Sequence, residues 1–150
     1  MKIKLFFLFM LFIHQTNLLA QEVWFESSRG ITNDYQRYIN SGNILGEFYV
    51  SPVIEDYEIE NDSIILKGYV HYVFKRIEDI DIALLKKAKR RTICEILCKQ
   101  KVYDLVEYIG VTDAIGNFEV KVNKKDNYLL FRDIQRKEYI ILFFELKEQK

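Results

Sequence analysis

The chain has 150 residues, with 22 Lys plus Arg against 22 Asp plus Glu, two His, two Cys and one Pro. That length accommodates one domain rather than two, and a formal charge of zero removes the whole-molecule field that would draw it to nucleic acid or to an anionic membrane surface. An apolar fraction of 49% excludes wholesale disorder.

Lys2 and Lys4 precede an unbroken apolar run from Leu5 to Ile13, then a polar stretch His14 to Asn17, then Leu18-Leu19-Ala20 before Gln21. This is the three-part layout of a secretory signal peptide over residues 1–20, with cleavage expected after Ala20. The apolar run would span about 14 Å as a helix, roughly half of a ~30 Å hydrocarbon core, so no stable transmembrane anchor is expected once it is removed. Without residues 1–20 the chain keeps 20 basic and 22 acidic side chains, a net charge of minus two over 130 residues, and His71 is its only histidine.

Residues 21–62 read as an amino-terminal extension that packs on the main domain. Thr32 or Asn33 predicts the cap of a short helix reaching about Ile39. Gly46 to Val50 predicts a strand stopped by Ser51-Pro52, and Tyr57 to Ile59 a second. The clearest strand is Ser63 to Phe74: Ile64, Leu66, Gly68, Val70, Tyr72 and Phe74 share one parity, and Ile65, Lys67, Tyr69, His71 and Val73 the other. Both parities carry apolar residues, which predicts a central strand or one covered on its second face by the extension. Gly68 in its interior predicts a bulge or a close approach by another part of the chain.

Between Asp79 and Tyr108 the pattern favours strands at Ile80 to Leu84, Ile93 to Cys98 and Val102 to Ile109, with a helix as the alternative. Further on, Phe118, Val120 and Val122 alternate with polar residues, Tyr128 to Phe131 follows a Lys-Lys-Asp-Asn turn, and Glu138 to Leu146 is apolar on both parities from Tyr139 to Phe144. Short strands separated by turn signals predict an all-β antiparallel sandwich of about seven strands over residues 63–150.

Two segments, Ile65 to Val70 and Val111-Thr112-Asp113-Ala114-Ile115-Gly116-Asn117-Phe118-Glu119-Val120, resemble the carboxypeptidase regulatory-like domains, small prealbumin-like sandwiches of exported bacterial proteins. The resemblance spans roughly residues 64–146, with an insertion near 77–100, and it implies a fold rather than an active site. In physical terms Asp113 can bond amides within its turn, Gly116 can take the positive φ of a tight hairpin, and Phe118 can enter the core.

Candidate chemistry is sparse. Cys94 and Cys98 on one strand would lie about 13 Å apart, too far for a disulfide, and at helical spacing the bridging geometry is also poor. Two free, partly buried thiols are expected, with a bridge across a local bend as the alternative. Together with His71 they fall short of the four ligands of structural zinc, and neither a metal nor a cofactor is expected. His71 lacks a nucleophile partner and reads as a hydrogen-bonded strand residue, so no catalytic residue is assigned. The run Lys86, Lys87, Lys89, Arg90 and Arg91 is the strongest charge feature, a solvated turn or a grip on an anionic partner. Acidic stretches at Glu55 to Asp62 and Glu78 to Asp81 leave paired-carboxylate hydrolysis open.

The expected protein is an exported, periplasmic or extracellular, non-enzymatic binding or scaffolding module of the cell envelope, with an envelope protein or glycan as partner and no nucleic acid. The alternatives are a small envelope hydrolase using paired carboxylates, and an inhibitor or immunity-type protein that blocks a partner protein.

Overall fold

The structure is a computed structural model that describes residues 21–31, 37–40 and 50–148. The signal segment, the proposed caps Thr32 and Asn33, and the Gly46 to Tyr49 part of the first predicted strand lie outside the described residues. Two units are distinguished, Met1–Trp24 with Glu145–Lys150, and Phe25–Phe144. In the first unit, Val23 is buried and the Lys147 ammonium sits 4.3 Å from the centre of the Trp24 ring.

Ten strands are described: β1 (Gln21–Ile31), β2 (Arg37–Asn40), β3 (Val50–Ile59), β4 (Ser63–Tyr72), β5 (Lys75–Arg76), β6 (Asp81–Lys87), β7 (Lys101–Val111), β8 (Asn117–Asn123), β9 (Tyr128–Asp133) and β10 (Glu138–Glu148). One short helix, α1 (Ile93–Leu97), stands between β6 and β7. The larger sheet has the order β1-β10-β9-β6-β7-β2, and in the smaller one β4 is flanked by β3 on one side and by β8 and β5 on the other. The pairings of β2 through β10 are antiparallel throughout. The chain is therefore all-β, as its alternation predicts, with more strands than the expected seven because residues 21–62 contribute β1, β2 and β3.

In the second unit the two sheets face each other through the buried parity of each strand. Ile64, Leu66 and Val70 of β4 and Phe118, Val120 and Val122 of β8 are buried, and the Phe118 ring meets that of Phe131 on β9 with centroids 5.1 Å apart. The opposite face of the larger sheet is buried as well. Tyr38, Ala83, Leu85, Tyr103, Leu130, Tyr139 and Ile141 form a second core there, which explains why Tyr139 to Phe144 is apolar on both parities. Tyr38 on β2 and Tyr139 on β10 are separated by three strands, about 19 Å in a flat sheet, yet their rings meet edge-on at 5.1 Å. The sheet must curl strongly about this aromatic cluster, in the sense that the twist of β-strands favours.

Several local expectations change. Arg37–Asn40 is strand rather than the end of a helix, because its register against β7 satisfies its backbone and places Tyr38 opposite Tyr103. Ser51-Pro52 does not end a strand: β3 runs through it, and Pro52 is tolerated because β3 is the edge of its sheet. Within the predicted strand Ile93 to Cys98, Ile93–Leu97 is a helix with Cys98 as its C-cap, held by a capping box in which Thr92 accepts from the Glu95 amide and Glu95 accepts in return. The second face of β4 is not roofed by β3, which is its lateral neighbour along ten residues.

Candidate functional site

Two places gather chemistry-bearing side chains. The first is a cleft of about 630 Å³ at one end of the two sheets, lined by residues of β5, the 77–79 link, the β7–β8 turn and the β9–β10 turn.

The Thr112 to Asn117 turn borders this cleft through Ala114. Asp113 Oδ1 accepts from the amides of Ile115 at 3.0 Å and Asn117 at 2.8 Å. Gly116 has φ of +80°, and an added Cβ would lie 2.9 Å from Arg76 Cβ and from the Ile77 nitrogen. Phe118 leaves the turn into the core. Thr112 fastens the turn to its neighbour: its buried hydroxyl donates to the Ile77 carbonyl and accepts from the Ile80 amide, both at 3.0 Å. Arg76 closes the assembly, donating to Asn117 Oδ1 at 2.6 Å while its guanidinium stacks 3.9 Å from the Tyr69 ring centre. These contacts fix the shape of the turn and of the link it packs against.

Asp79 and Asp81, neighbours in sequence, and the distant Asp133 also line the cleft. Asp81 Oδ2 receives Arg132 Nη2 at 2.6 Å, and Arg132 Nη1 donates to the Tyr38 hydroxyl at 2.9 Å. Burial works against the Arg132 charge, but the Asp81 and Tyr38 contacts hold its pKa above the ordinary value. Burial likewise pushes Tyr38 up to about 12, against the lowering effect of Arg132. Asp133 is bonded to the Arg136 guanidinium and to the Arg136 amide at 3.0 Å, and that carboxylate raises the Arg136 pKa. Asp81 and Asp133 are thus acceptors already in use, with guanidinium partners that a hydrolytic acid–base pair would have to displace. Sequence reading missed this network. The one visible signal was Arg132-Asp133 ending the otherwise apolar strand Tyr128 to Phe131.

The second place is the excursion from β6 to β7. Lys86 and Lys87 end β6, and all five residues of the basic run, Lys86, Lys87, Lys89, Arg90 and Arg91, are exposed. The loop is self-supporting: Arg90 donates to the carbonyls of Gln100 at 2.7 Å and Lys99 at 2.9 Å, and the Arg91 amide donates to Glu95 Oε2 at 2.6 Å. Glu95 is buried as the pivot of the capping box, while Cys94 and Cys98 are free and exposed one helical turn apart. Ile93, Ile96 and Leu97 are 75, 54 and 75% exposed. At spacing i, i+3, i+4 they form one continuous helical stripe, and it faces solvent instead of a core.

The remaining candidates are placed plainly. His71 is half-buried on β4, its Nδ1 3.0 Å from the Val73 carbonyl oxygen. The three glutamates of the 55–62 stretch are occupied: Glu58 with Lys67, Glu60 with Lys121 and Ser63, and Glu55 with Arg76. The Lys121 bond draws the Glu60 pKa below the usual value. Among the described residues no group of three or more His, Cys, Asp or Glu side chains is arranged to hold a metal, and no helix is long and apolar enough to cross a membrane. No family model, no curated protein and no solved structure matches the chain.

Proposed function

We propose that this chain is an exported, non-enzymatic binding module of the cell envelope, built on a prealbumin-like sandwich of the carboxypeptidase regulatory-like type, and that its basic excursion engages an anionic envelope partner. The observation that carries the reading is the exposed run Lys86 to Arg91 on a loop braced by its own hydrogen bonds. A braced loop presents charge at little ordering cost, which is what a binding surface requires. The Lys2 to Ala20 layout supports export. The antiparallel two-sheet architecture and the Asp113 to Phe118 turn support the fold assignment.

The test uses protein recovered from native envelopes. Its intact mass should begin at Gln21, and its retention on envelope fractions should fall steeply with added salt. The variant Lys86→Glu/Lys87→Glu/Lys89→Glu should lose that salt-sensitive retention. Arg90 is left alone because it braces the loop. A full-length cytoplasmic species, or retention unchanged by the three reversals, overturns the reading.

A further inference from the structure

Seven cations lie between Lys86 and Lys101, against one carboxylate, Glu95, which is buried and committed to the helix cap. Within this segment the excess is six positive charges, with Asp104 of β7 opposite Lys86 as an adjoining acid, on a molecule whose total is zero. With a Debye length of about 8 Å at physiological ionic strength, a partner touching this loop responds to the local charge and hardly to the total.

Charge alone would suit any polyanion. The helix adds something a polyanion has no use for: Ile93, Ile96 and Leu97 form an outward apolar stripe, flanked in sequence by Lys86 to Arg91 on one side and by Lys99 and Lys101 on the other. A soluble glycan gains nothing from such a stripe, and packing within the protein does not use it. Nor is a second copy favoured as occupant, since the most acidic stretch of the chain has already paired Glu55, Glu58 and Glu60 internally. An apolar tip set in a collar of Lys and Arg matches the interface of an anionic bilayer, where phosphates meet the cations and the acyl boundary receives the apolar side chains.

We propose that the Lys86 to Lys101 excursion is a docking tip for an anionic lipid surface, with Ile93, Ile96 and Leu97 entering the interface and the surrounding lysines and arginines contacting headgroup phosphates. This deepens the anionic-partner reading and rests on it. The capping box serves the tip by holding the helix without using any of its outward side chains. The two exposed thiols lie beside the stripe and give the test a native handle.

The experiment compares the full chain with two variants on extruded vesicles, either one part phosphatidylglycerol to three parts phosphatidylcholine or phosphatidylcholine alone. A polarity-sensitive dye is placed on Cys98 in a Cys94→Ser background. The expected result is cosedimentation with the mixed vesicles only, with a blue shift of the dye. Lys86→Glu/Lys87→Glu/Lys89→Glu should weaken partitioning by more than about a hundredfold, the loss expected from neutralising three near-surface cations before their reversal is counted. Ile93→Ser/Ile96→Ser/Leu97→Ser should abolish the blue shift and most of the binding while leaving the melting midpoint unchanged. Residues 1–20 are common to every variant, so the differences belong to the excursion. Retention on an anionic polysaccharide without vesicle binding overturns the lipid assignment and leaves the anionic-partner reading standing. Equal vesicle binding by the serine variant overturns the assignment, as does a doubling of the solution mass that depends on the same three residues. Failure on every polyanion removes both readings.

Discussion

Gly68 and Gly116 are places where a single missing Cβ decides whether the fold closes. A Cβ at Gly68 would fall 2.0 Å from the Val53 carbonyl oxygen on the neighbouring strand, beside the register shift between Ile54 and Asp56. The close approach that an interior glycine predicts is there, and the irregularity is carried by β3 rather than by β4. Gly68→Ala should therefore destabilise by more than about 2 kcal/mol, since the atom it strikes is backbone and cannot rotate away. At Gly116 the demand is conformational as well as steric, and Gly116→Val should cost more than ~1 kcal/mol. Urea unfolding midpoints check both; an unchanged midpoint for either variant would show that the backbone there relaxes. Other residues gave weaker signals. His71 stands on its strand as a hydrogen-bonded side chain, and the cysteines are free but exposed rather than partly buried, because the short helix that carries them buries only Glu95.

Strands with strict alternation, β4 and β8, were legible from sequence because each buries one parity against a partner, whereas β9 was legible as a short apolar run between turns and is buried on both parities. The elements that went astray are those whose state is set by a neighbour. Ile93 to Leu97 is too short for helical periodicity to emerge, and its apolar residues imitate a strand; Thr92 and Glu95 at capping-box spacing were the readable cue. That box is also testable. Thr92→Ala removes the acceptor for the Glu95 amide, worth about 1 kcal/mol, and should speed hydrogen exchange of the Glu95 and Ile96 amides about fivefold. The global melting midpoint should stay put, because α1 buries no apolar side chain. A fall in the midpoint would mean that the excursion supports the sheets.

At the scale of the second unit, the decisive event is the curling of the larger sheet, which brings Tyr38 onto Tyr139 and under Arg132. Burial holds the Tyr38 phenol neutral, with its pKa raised from 10 to about 12. A raised pKa in the folded state means that the stabilisation is fully present below pH 10 and is lost as pH climbs from 10 to 12. Tyr38→Phe should cost about 1 kcal/mol at neutral pH by removing the bond to Arg132, and should flatten the alkaline loss relative to wild type. Unfolding midpoints of the two proteins across that range make the comparison. Parallel curves would place the alkaline transition elsewhere.

By itself the sequence determined the all-β class, the central place of β4, the turn around Asp113 and Gly116, and the local excess of positive charge after β6. Those features follow from covalent neighbours, through period-two burial, the φ freedom of glycine and the density of lysine and arginine. Tertiary structure alone decided that β2 and β3 belong to the sheets, that Arg132 spans Tyr38 and Asp81, and that Ile93, Ile96 and Leu97 face outward. Each of these depends on what lies across a sheet or fails to lie across a helix. Alternation along a strand records that a face is buried without recording against what, and an apolar stripe reads the same whether a core or a membrane is to receive it.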